Sequence, residues 1–159
     1  MEALFGVHLA VVDPNVAVVQ RAWAAFTSEP ATLERVESGG LDPVLEDFDP
    51  DIVWEVTPLG LPGMGRYQGH DGVVRFWNDW FEVFDAVDTE VLSFEAVDDK
   101  VITLSRQHAT GVSSGTEATW EFAMVCTVRD GKVVRAEFCS DLDEARQLAS
   151  SAAAARASS

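Results

Sequence analysis

Three side chains in the C-terminal half of the sequence are of types that hold or transfer protons: Arg106, His108 and Asp141. Arg106 and His108 stand two apart in a segment whose alternation predicts a strand, so they share one face with apolar neighbours. An arginine buried on such a face needs a carboxylate partner. We therefore expect the three side chains to meet at the floor of a pocket. There His108 and Asp141 would share general acid–base catalysis, while Arg106 would keep Asp141 ionised or polarise a substrate oxygen.

The pair Asp130-Gly131 predicts how the last two strands meet, because it is typical of a two-residue hairpin turn with positive φ at both central positions. Counting outward from that turn places four residues of one strand opposite four of the other: Trp120, Phe122, Met124 and Cys126 opposite Asp141, Cys139, Glu137 and Arg135. Asp141 would then lie among aromatic rings, a desolvated setting that suits proton transfer. Glu137 is a second candidate partner for Arg106.

The same residues also allow an interpretation without chemistry. Arg106 with Asp141 or Glu137 can be a structural ion pair, and His108 can face a dimer partner. Candidate ligand contacts are the residues expected on pocket-facing surfaces, namely Trp54, Tyr67, Trp77, Trp80, Trp120, Phe122 and Glu137. Core packing explains most of these rings equally well. Tyr67 is the best placed to bond a ligand, since a buried hydroxyl must find a partner.

The elements that must position these residues follow from hydrophobic periodicity. Asp13-Pro14-Asn15 predicts a helix start, and an amphipathic helix rich in aromatic residues is predicted from Asp71, its N-cap. A second helical patch, a short strand and a Gly/Pro-rich loop are predicted at residues 41–48, 51–56 and 57–69. Four strands and a closing helix are predicted at residues 89–97, 101–111, 117–129, 132–141 and 142–149. So long a meander must curl over the helices, which predicts an α+β fold: a curved antiparallel sheet wrapped around N-terminal helices as a cone-shaped barrel with an aromatic-lined pocket.

Composition narrows the class of partner. The chain has 159 residues, as expected for one domain, and a net charge of −16, which repels phosphate backbones and anionic membrane surfaces. We expect no nucleic-acid partner and no membrane association, because no apolar run approaches the ~18 residues of a spanning helix. The predicted hairpin register separates Cys126 from Cys139, so we expect no disulfide between them. With no signal-peptide pattern, this indicates a reduced, cytoplasmic protein.

Neither metals nor nucleotide cofactors are expected. The three histidines are scattered without paired ligand spacing, which argues against zinc. No glycine-rich loop follows a strand and opens a helix in the way that phosphate binding requires. Any chemistry would be cofactor-free.

Several segments together resemble SnoaL-like proteins of the nuclear-transport-factor-2-like superfamily. They are Asp49-Pro50-Asp51-Ile52-Val53-Trp54, Tyr67-Gln68-Gly69-His70-Asp71-Gly72, residues 111–115, Arg129-Asp130-Gly131-Lys132-Val133-Val134 and residues 141–145. The resemblance covers residues 15–149 and implies a cystatin-like fold, a homodimer formed through the outer face of the sheet and a pocket on its concave face. Residues 1–14 are then an N-terminal extension, and residues 150–159 a flexible Ala/Ser tail.

The resemblance implies several reaction classes rather than one, because this fold hosts isomerases, hydrolases, dehydratases, cyclases and non-catalytic members. Arg106 and Asp141 match an arginine and an aspartate of limonene epoxide hydrolase, but His108 stands where that enzyme has a further aspartate. Thr57 occupies the position of the general base of ketosteroid isomerase, which disfavours a steroid isomerase. Asp141 also matches the aspartate of polyketide cyclases.

Two hypotheses therefore remain: a cofactor-free acid–base enzyme acting on a small apolar oxygenated molecule, or a non-catalytic ligand-binding or dimeric accessory protein. The enzyme requires at least two titratable groups facing one cavity.

Overall fold

The computed structural model describes residues 13–59 and 64–158, and it builds the N-terminal half from short helices that carry the apolar face of the domain. Helix α1 spans Pro14–Thr27 and is capped by Asp13, whose carboxylate accepts the backbone N–H of Asn15 at 2.8 Å. The remaining elements before the long strands are β1 (Ala31–Thr32), α2 (Leu33–Glu37), α3 (Asp42–Leu45), β2 (Phe48–Glu55), a 3₁₀ turn (Thr57–Leu59) and β3 (Arg66–Gln68). Residues 1–12 of the predicted extension lie outside the described residues, as do residues 60–63 of the predicted loop.

Helix α4 spans Gly69–Val83 and presents one strongly apolar face. Val73, Phe76, Trp77 and Phe81 are all buried on that face, as their helical spacing predicts. Asp71 was predicted to be the N-cap of this helix. It lies in the first turn instead, because the helix already begins at Gly69. A φ of +77° at Gly69 lets the chain turn from β3 directly into the helix.

The C-terminal half is a meander of long strands: β4 (Phe84–Val97), β5 (Lys100–Gly111), β6 (Glu117–Arg129) and β7 (Lys132–Cys139). The seven strands pair in the order β1-β4-β5-β6-β7-β2-β3, and every pair is antiparallel except β2 with β7. The sheet curls into a half-barrel around α1 and α4. The predicted α+β class with a curved sheet over the helices is confirmed.

A closing helix, α5, spans Leu142–Ser158 and packs on the outer, convex side of the half-barrel. It forms a second small core with the sheet residues beneath it: Ile102, Ala123, Val125, Cys139, Ala145 and Ala149. The helix is longer than the predicted 142–149. Part of the sheet is therefore covered by helices on both faces, so that apolar residues of its strands can point to either side.

The β6–β7 hairpin contains the predicted turn but not the predicted register. Asp130 and Gly131 have φ values of 52° and 76°, as a type I′ turn requires. A β-bulge between Thr127 and Val128 leaves Val134 as an extra residue on β7, so that Thr127 pairs with Arg135 and Cys126 with Ala136. Every residue of β7 beyond the bulge is therefore displaced by one position from its expected partner.

Candidate functional site

A cavity lies between the concave face of the sheet and helices α1 and α4. The centre of a water-sized sphere can occupy a volume of about 80 Å³ inside this cavity. A cavity that holds a single water has about 10–15 Å³ on the same measure. Apolar side chains form nearly all of its lining, which comprises Val19, Ala22, Trp23, Phe26, Val44, Phe48, Trp54, Leu59, Phe76, Trp77, Trp80, Phe81, Gln107, Trp120, Phe122, Met124, Cys126, Val133 and Phe138. The space is therefore large enough for a small organic molecule and suited to an apolar one.

A continuous line of aromatic rings runs along the cavity. The ring centroids of Trp120 and Trp80 are 6.1 Å apart, those of Trp80 and Phe76 are 5.7 Å apart, and those of Phe76 and Trp54 are also 5.7 Å apart. Phe138 closes the Trp54 end, 5.4 Å from that ring. All five tryptophans of the chain belong to the lining.

Among the described residues of the lining, Gln107 is the only one with a carboxamide, and none carries a carboxylate, an imidazole or an amine. It lies on β5 opposite Trp120. Its Nε2 donates to Oγ1 of Thr89 on the neighbouring strand at 2.9 Å. No described residue bonds its Oε1, and the indole N–H of Trp54 is likewise unpartnered within residues 13–59 and 64–158.

The prediction that Arg106 and His108 face the pocket is wrong. Both side chains lie on the convex face, where Arg106 is 47% exposed and its Nη2 donates to Oε2 of Glu121 at 2.9 Å. His108 is 46% exposed, with Nε2 3.4 Å from Oε1 of Glu117. Helix α5 covers Ile102 on the same face, so the apolar residues that accompany Arg106 in sequence belong to the outer core. The concave face carries the alternate residues, including Gln107 and Ala109.

Asp141 does not face the cavity either, and its predicted position opposite Trp120 is wrong. It is exposed and caps helix α5, where its Oδ1 accepts the backbone N–H of Glu144 at 2.8 Å. In return, Oε1 of Glu144 accepts the backbone N–H of Ser140 at 2.7 Å. The two bonds differ from a capping box in that Glu144 bonds Ser140 rather than Asp141, but they likewise satisfy two backbone donors around the helix start. β7 ends at Cys139, before Asp141 could join the sheet.

Glu137 and Tyr67 are also absent from the cavity lining, contrary to expectation. The bulge places Glu137 opposite Val125 on the convex side, where its Oε1 lies 3.3 Å from Nε of Arg135. Tyr67 is buried on β3, and its hydroxyl donates to Oδ2 of Asp79 at 2.9 Å. Burial first, and then the Asp79 carboxylate, raise the pKa of Tyr67 to about 12, so it stays neutral.

The other five predicted ligand contacts do line the cavity: Trp54, Trp77, Trp80, Trp120 and Phe122. Their role in binding stays a prediction. Gln107 was not predicted to line the cavity, although alternation along β5 places it on the face of Ser105 and Ala109, which is the concave one. Phe26, Met124 and Phe138 were not predicted either, because apolar character alone does not separate cavity lining from core.

Among the described lining residues, Cys126 is the one that carries a thiol. Burial, reinforced by the charge of Glu137, raises the pKa of its thiol to about 12. The pKa of Cys139 beneath α5 is raised to about 12 by burial and then by Glu144, Glu137 and Asp141. The thiol of Cys126 is therefore protonated near neutral pH. Because only the thiolate is an effective nucleophile, Cys126 is unreactive in the folded protein.

The raised pKa values of these thiols predict that the protein loses stability in alkali. The unfolded thiols release their protons near pH 9 whereas the folded ones hold them to about pH 12, so unfolding releases protons in that window. We expect the free energy of unfolding, measured in urea, to fall steadily as pH rises from about 9 towards 12. The double variant Cys126→Ala/Cys139→Ala should show a shallower slope. An equal slope would assign the alkaline loss to Tyr67 and other groups.

The described part of the chain brings together no three His, Cys, Asp or Glu side chains that could hold a metal ion. Among the helices of residues 13–59 and 64–158, none combines the length and apolar character that crossing a membrane requires. The outer-face homodimer stays a prediction.

Comparisons with known proteins identify relatives of the whole domain. The family model of the SnoaL-like domain matches residues 19–136. No curated protein matches the chain. The structure of TerC co-crystallised with polyporic acid is 25% identical, covers 87% of this chain and 99% of its own, and has a TM-score of 0.66.

Two further solved structures share the fold at lower identity. A proposed SnoaL-like polyketide cyclase from Jannaschia sp. CCS1 is 18% identical over 84% of this chain and 90% of its own, with a TM-score of 0.63. AclR from Streptomyces galilaeus, a proposed hydroxylase, is 19% identical over 80% of this chain and 88% of its own, with a TM-score of 0.58.

Proposed function

This chain belongs to the SnoaL-like family, and on that premise we propose that it binds a small apolar molecule in its cavity without catalysing an acid–base reaction. The observation that carries the proposal is the chemistry of the lining. Among the described residues of the lining, the one titratable side chain is that of Cys126, a thiol whose raised pKa keeps it protonated. General acid–base catalysis needs groups that exchange protons near neutral pH within reach of one reacting atom.

The side chains that sequence analysis assigned to acid–base work already have other partners. Arg106 pairs with Glu121 and Glu90, with Nη1 of Arg106 3.7 Å from Oε1 of Glu90. Asp141 holds the start of α5. Without these side chains, the candidate site consists of the aromatic-lined cavity.

The lining favours flat or compact apolar ligands. Indole and phenyl rings, which make up about half of the lining residues, provide dispersion contacts over a large area. The co-crystallised TerC supports the proposal, since it is a relative of similar length that was solved with a small organic molecule.

The tryptophans provide a direct test. Because all five line the cavity, a bound bromocyclohexane molecule should quench their fluorescence by contact of its bromine with the indoles. We expect quenching that saturates with one molecule per chain and that is reversed by excess cyclohexane, an apolar competitor of similar size, but not by excess cyclohexanecarboxylate, an anion that the apolar lining should exclude. Quenching that rises linearly, as in urea-unfolded protein, would refute binding in the cavity.

A matched search for turnover separates the binder from the enzyme. The protein is incubated with epoxides, enones and β-hydroxyketones, and the products are followed by mass spectrometry. We expect each compound to be converted no faster with the protein than in buffer alone. Turnover that is lost in Asp141→Asn or His108→Ala would restore the enzyme hypothesis.

A further inference from the structure

The exposure of the lining residues shows where the cavity meets solvent. Most of the described lining residues are buried, and the partly exposed ones are Trp23, Phe26, Leu59, Trp80 and Trp120. The rings of Trp80 and Trp120 lie 6.1 Å apart, and helix α4 continues past Trp80 to Val83, which is 50% exposed. We call the end of the cavity that is marked by Trp80 and Trp120 the open end.

Strand β6 runs along the cavity from this open end. Trp120, Phe122, Met124 and Cys126 all line the cavity, as alternate residues on one face of a strand do. Trp120 is partly exposed, whereas the exposed fractions of the other three are 5%, 3% and 5%. An extended strand covers about 20 Å between the first and the last of these residues. The lining is therefore several times longer than one ring.

The far end of the cavity is closed by buried residues. Those that line it there, which we call the closed end, are Val44, Phe48, Cys126 and Val133, and none of them is more than 6% exposed. Phe48 pairs with Val133 between β2 and β7. The carbonyl oxygen of Asp47 accepts the backbone N–H of Val133 at 2.8 Å, and the backbone N–H of Asp47 donates to the carbonyl oxygen of Val44 at 3.4 Å. Helix α3 and the starts of β2 and β7 are thereby held together across this end.

The cavity is narrow for its length. A volume of about 80 Å³ for the centre of a water-sized sphere, spread over about 20 Å of strand, corresponds to a mean cross-section of about 4 Å². Such a space admits a single methylene chain, or a single file of rings, rather than a broad molecule.

We propose that the cavity takes a long, narrow apolar molecule end first, with its apolar terminus at the closed end and its polar group at the open end. This inference rests on the proposed function and specifies the shape and the orientation of its ligand. The orientation follows from the cost of burying a polar group without a partner. A hydroxyl group beside Trp80 and Trp120 keeps its water, whereas one at the closed end would lose it.

A series of straight-chain alcohols from butan-1-ol to decan-1-ol measures the length of the site. Each alcohol competes with bromocyclohexane, and the recovery of tryptophan fluorescence gives its affinity. We expect the affinity to rise about fourfold with each added methylene group, and to keep rising beyond hexan-1-ol. In a compact site the rise would stop near hexan-1-ol, which has as many carbons as bromocyclohexane.

A branched isomer measures the width of the site. Octan-1-ol and 2-propylpentan-1-ol have the same formula and the same polar group, but the second carries two chains side by side. We expect octan-1-ol to bind at least about tenfold more tightly, because only the straight chain can lie along β6.

Filling the closed end tests the orientation. Cys126→Met should lower the ratio of the decan-1-ol affinity to the hexan-1-ol affinity at least about fourfold, the value of one methylene group. The affinity for hexan-1-ol should not change, because a short chain whose hydroxyl group stays at the open end does not reach Cys126. Ala24→Met is the control, since Ala24 is exposed and outside the lining. Thermal melting verifies that each variant is folded, and Val133→Ile fills the same end if Cys126→Met is not.

The outcomes separate this inference from the proposed function. If bromocyclohexane binds saturably, three results would each overturn the long site and leave a compact apolar one: no displacement by any of the alcohols, an affinity that stops rising at hexan-1-ol, or equal binding of the two octanol isomers. Equal weakening of hexan-1-ol and decan-1-ol in the variant with a filled closed end would overturn the orientation. If bromocyclohexane itself shows no saturable quenching, the proposed function fails as well.

Discussion

Replacing Phe76 with alanine should lower the free energy of unfolding by about 3–5 kcal/mol. Phe76 is 5% exposed, and its ring lies within 5.7 Å of four others: those of Trp54, Tyr67, Trp80 and Phe138. Truncation removes its own buried area and leaves a void that adds to the existing cavity. The neighbouring rings are held on β2, β3, β7 and α4, so they can relax into the space only partly.

Urea unfolding followed by circular dichroism measures the loss, with Val83→Ala as the control. Val83 ends the same helix and is 50% exposed, so its truncation should change stability by no more than about 0.5 kcal/mol. A loss below about 1 kcal/mol for Phe76→Ala would show that the ring does not support the walls of the cavity.

Replacing Ala22 with phenylalanine should abolish saturable quenching by bromocyclohexane, weakening its binding at least about tenfold. Ala22 is 6% exposed and lines the cavity from helix α1. A phenyl ring at this position extends into the space that the ligand would occupy. Overpacking costs about 1–3 kcal/mol in a filled core, but here the ring enters existing empty volume, so the variant should fold with little loss of stability.

The control for this variant lies two residues away on the same helix. Ala24 is exposed and is not part of the lining, so Ala24→Phe adds the same ring without entering the cavity. We expect its quenching curve to match that of the unaltered protein. Equal binding by Ala22→Phe and Ala24→Phe would mean that the ligand binds elsewhere.

Both predictions concern the same feature, the aromatic cavity, but they test different properties of it. The Phe76 variant asks whether the rings hold the fold together, and the Ala22 variant asks whether the space between them is used. A protein that passes the first test and fails the second has a cavity without a ligand, since stability alone does not require one.

The orientation of strand β5 determines whether the cavity contains titratable groups, because the two faces of this strand carry different side chains. Its convex face carries the groups capable of acid–base chemistry, Arg106 and His108, whereas Gln107 and Ala109 face inward. Helices α1 and α4 lie against one side of this sheet and α5 lies against the other. The concave face therefore carries the uncharged carboxamide of Gln107 where an inward Arg106 would have placed a charge.

The fold was predictable from the sequence because its signals are local. The aromatic stripe of α4, the alternation of the four long strands and the Asp130-Gly131 turn each depend on neighbouring residues. Family resemblance and hydrophobic pattern agreed, and five of the seven predicted ligand contacts line the cavity.

The site was decided only by the tertiary structure, for two physical reasons. Alternation shows which residues of a strand share a face, but not which face is concave. Both faces of β5 mix apolar and polar side chains: Ile102 shares the convex face with Arg106 and His108, and Ala109 shares the concave face with Thr103, Ser105 and Gln107. The single extra residue at Val134 shifts β7 by one position, which turns Glu137 outward. Neither the docking of α5 nor the bulge has a signal in the local sequence, since both depend on contacts between segments far apart in the chain.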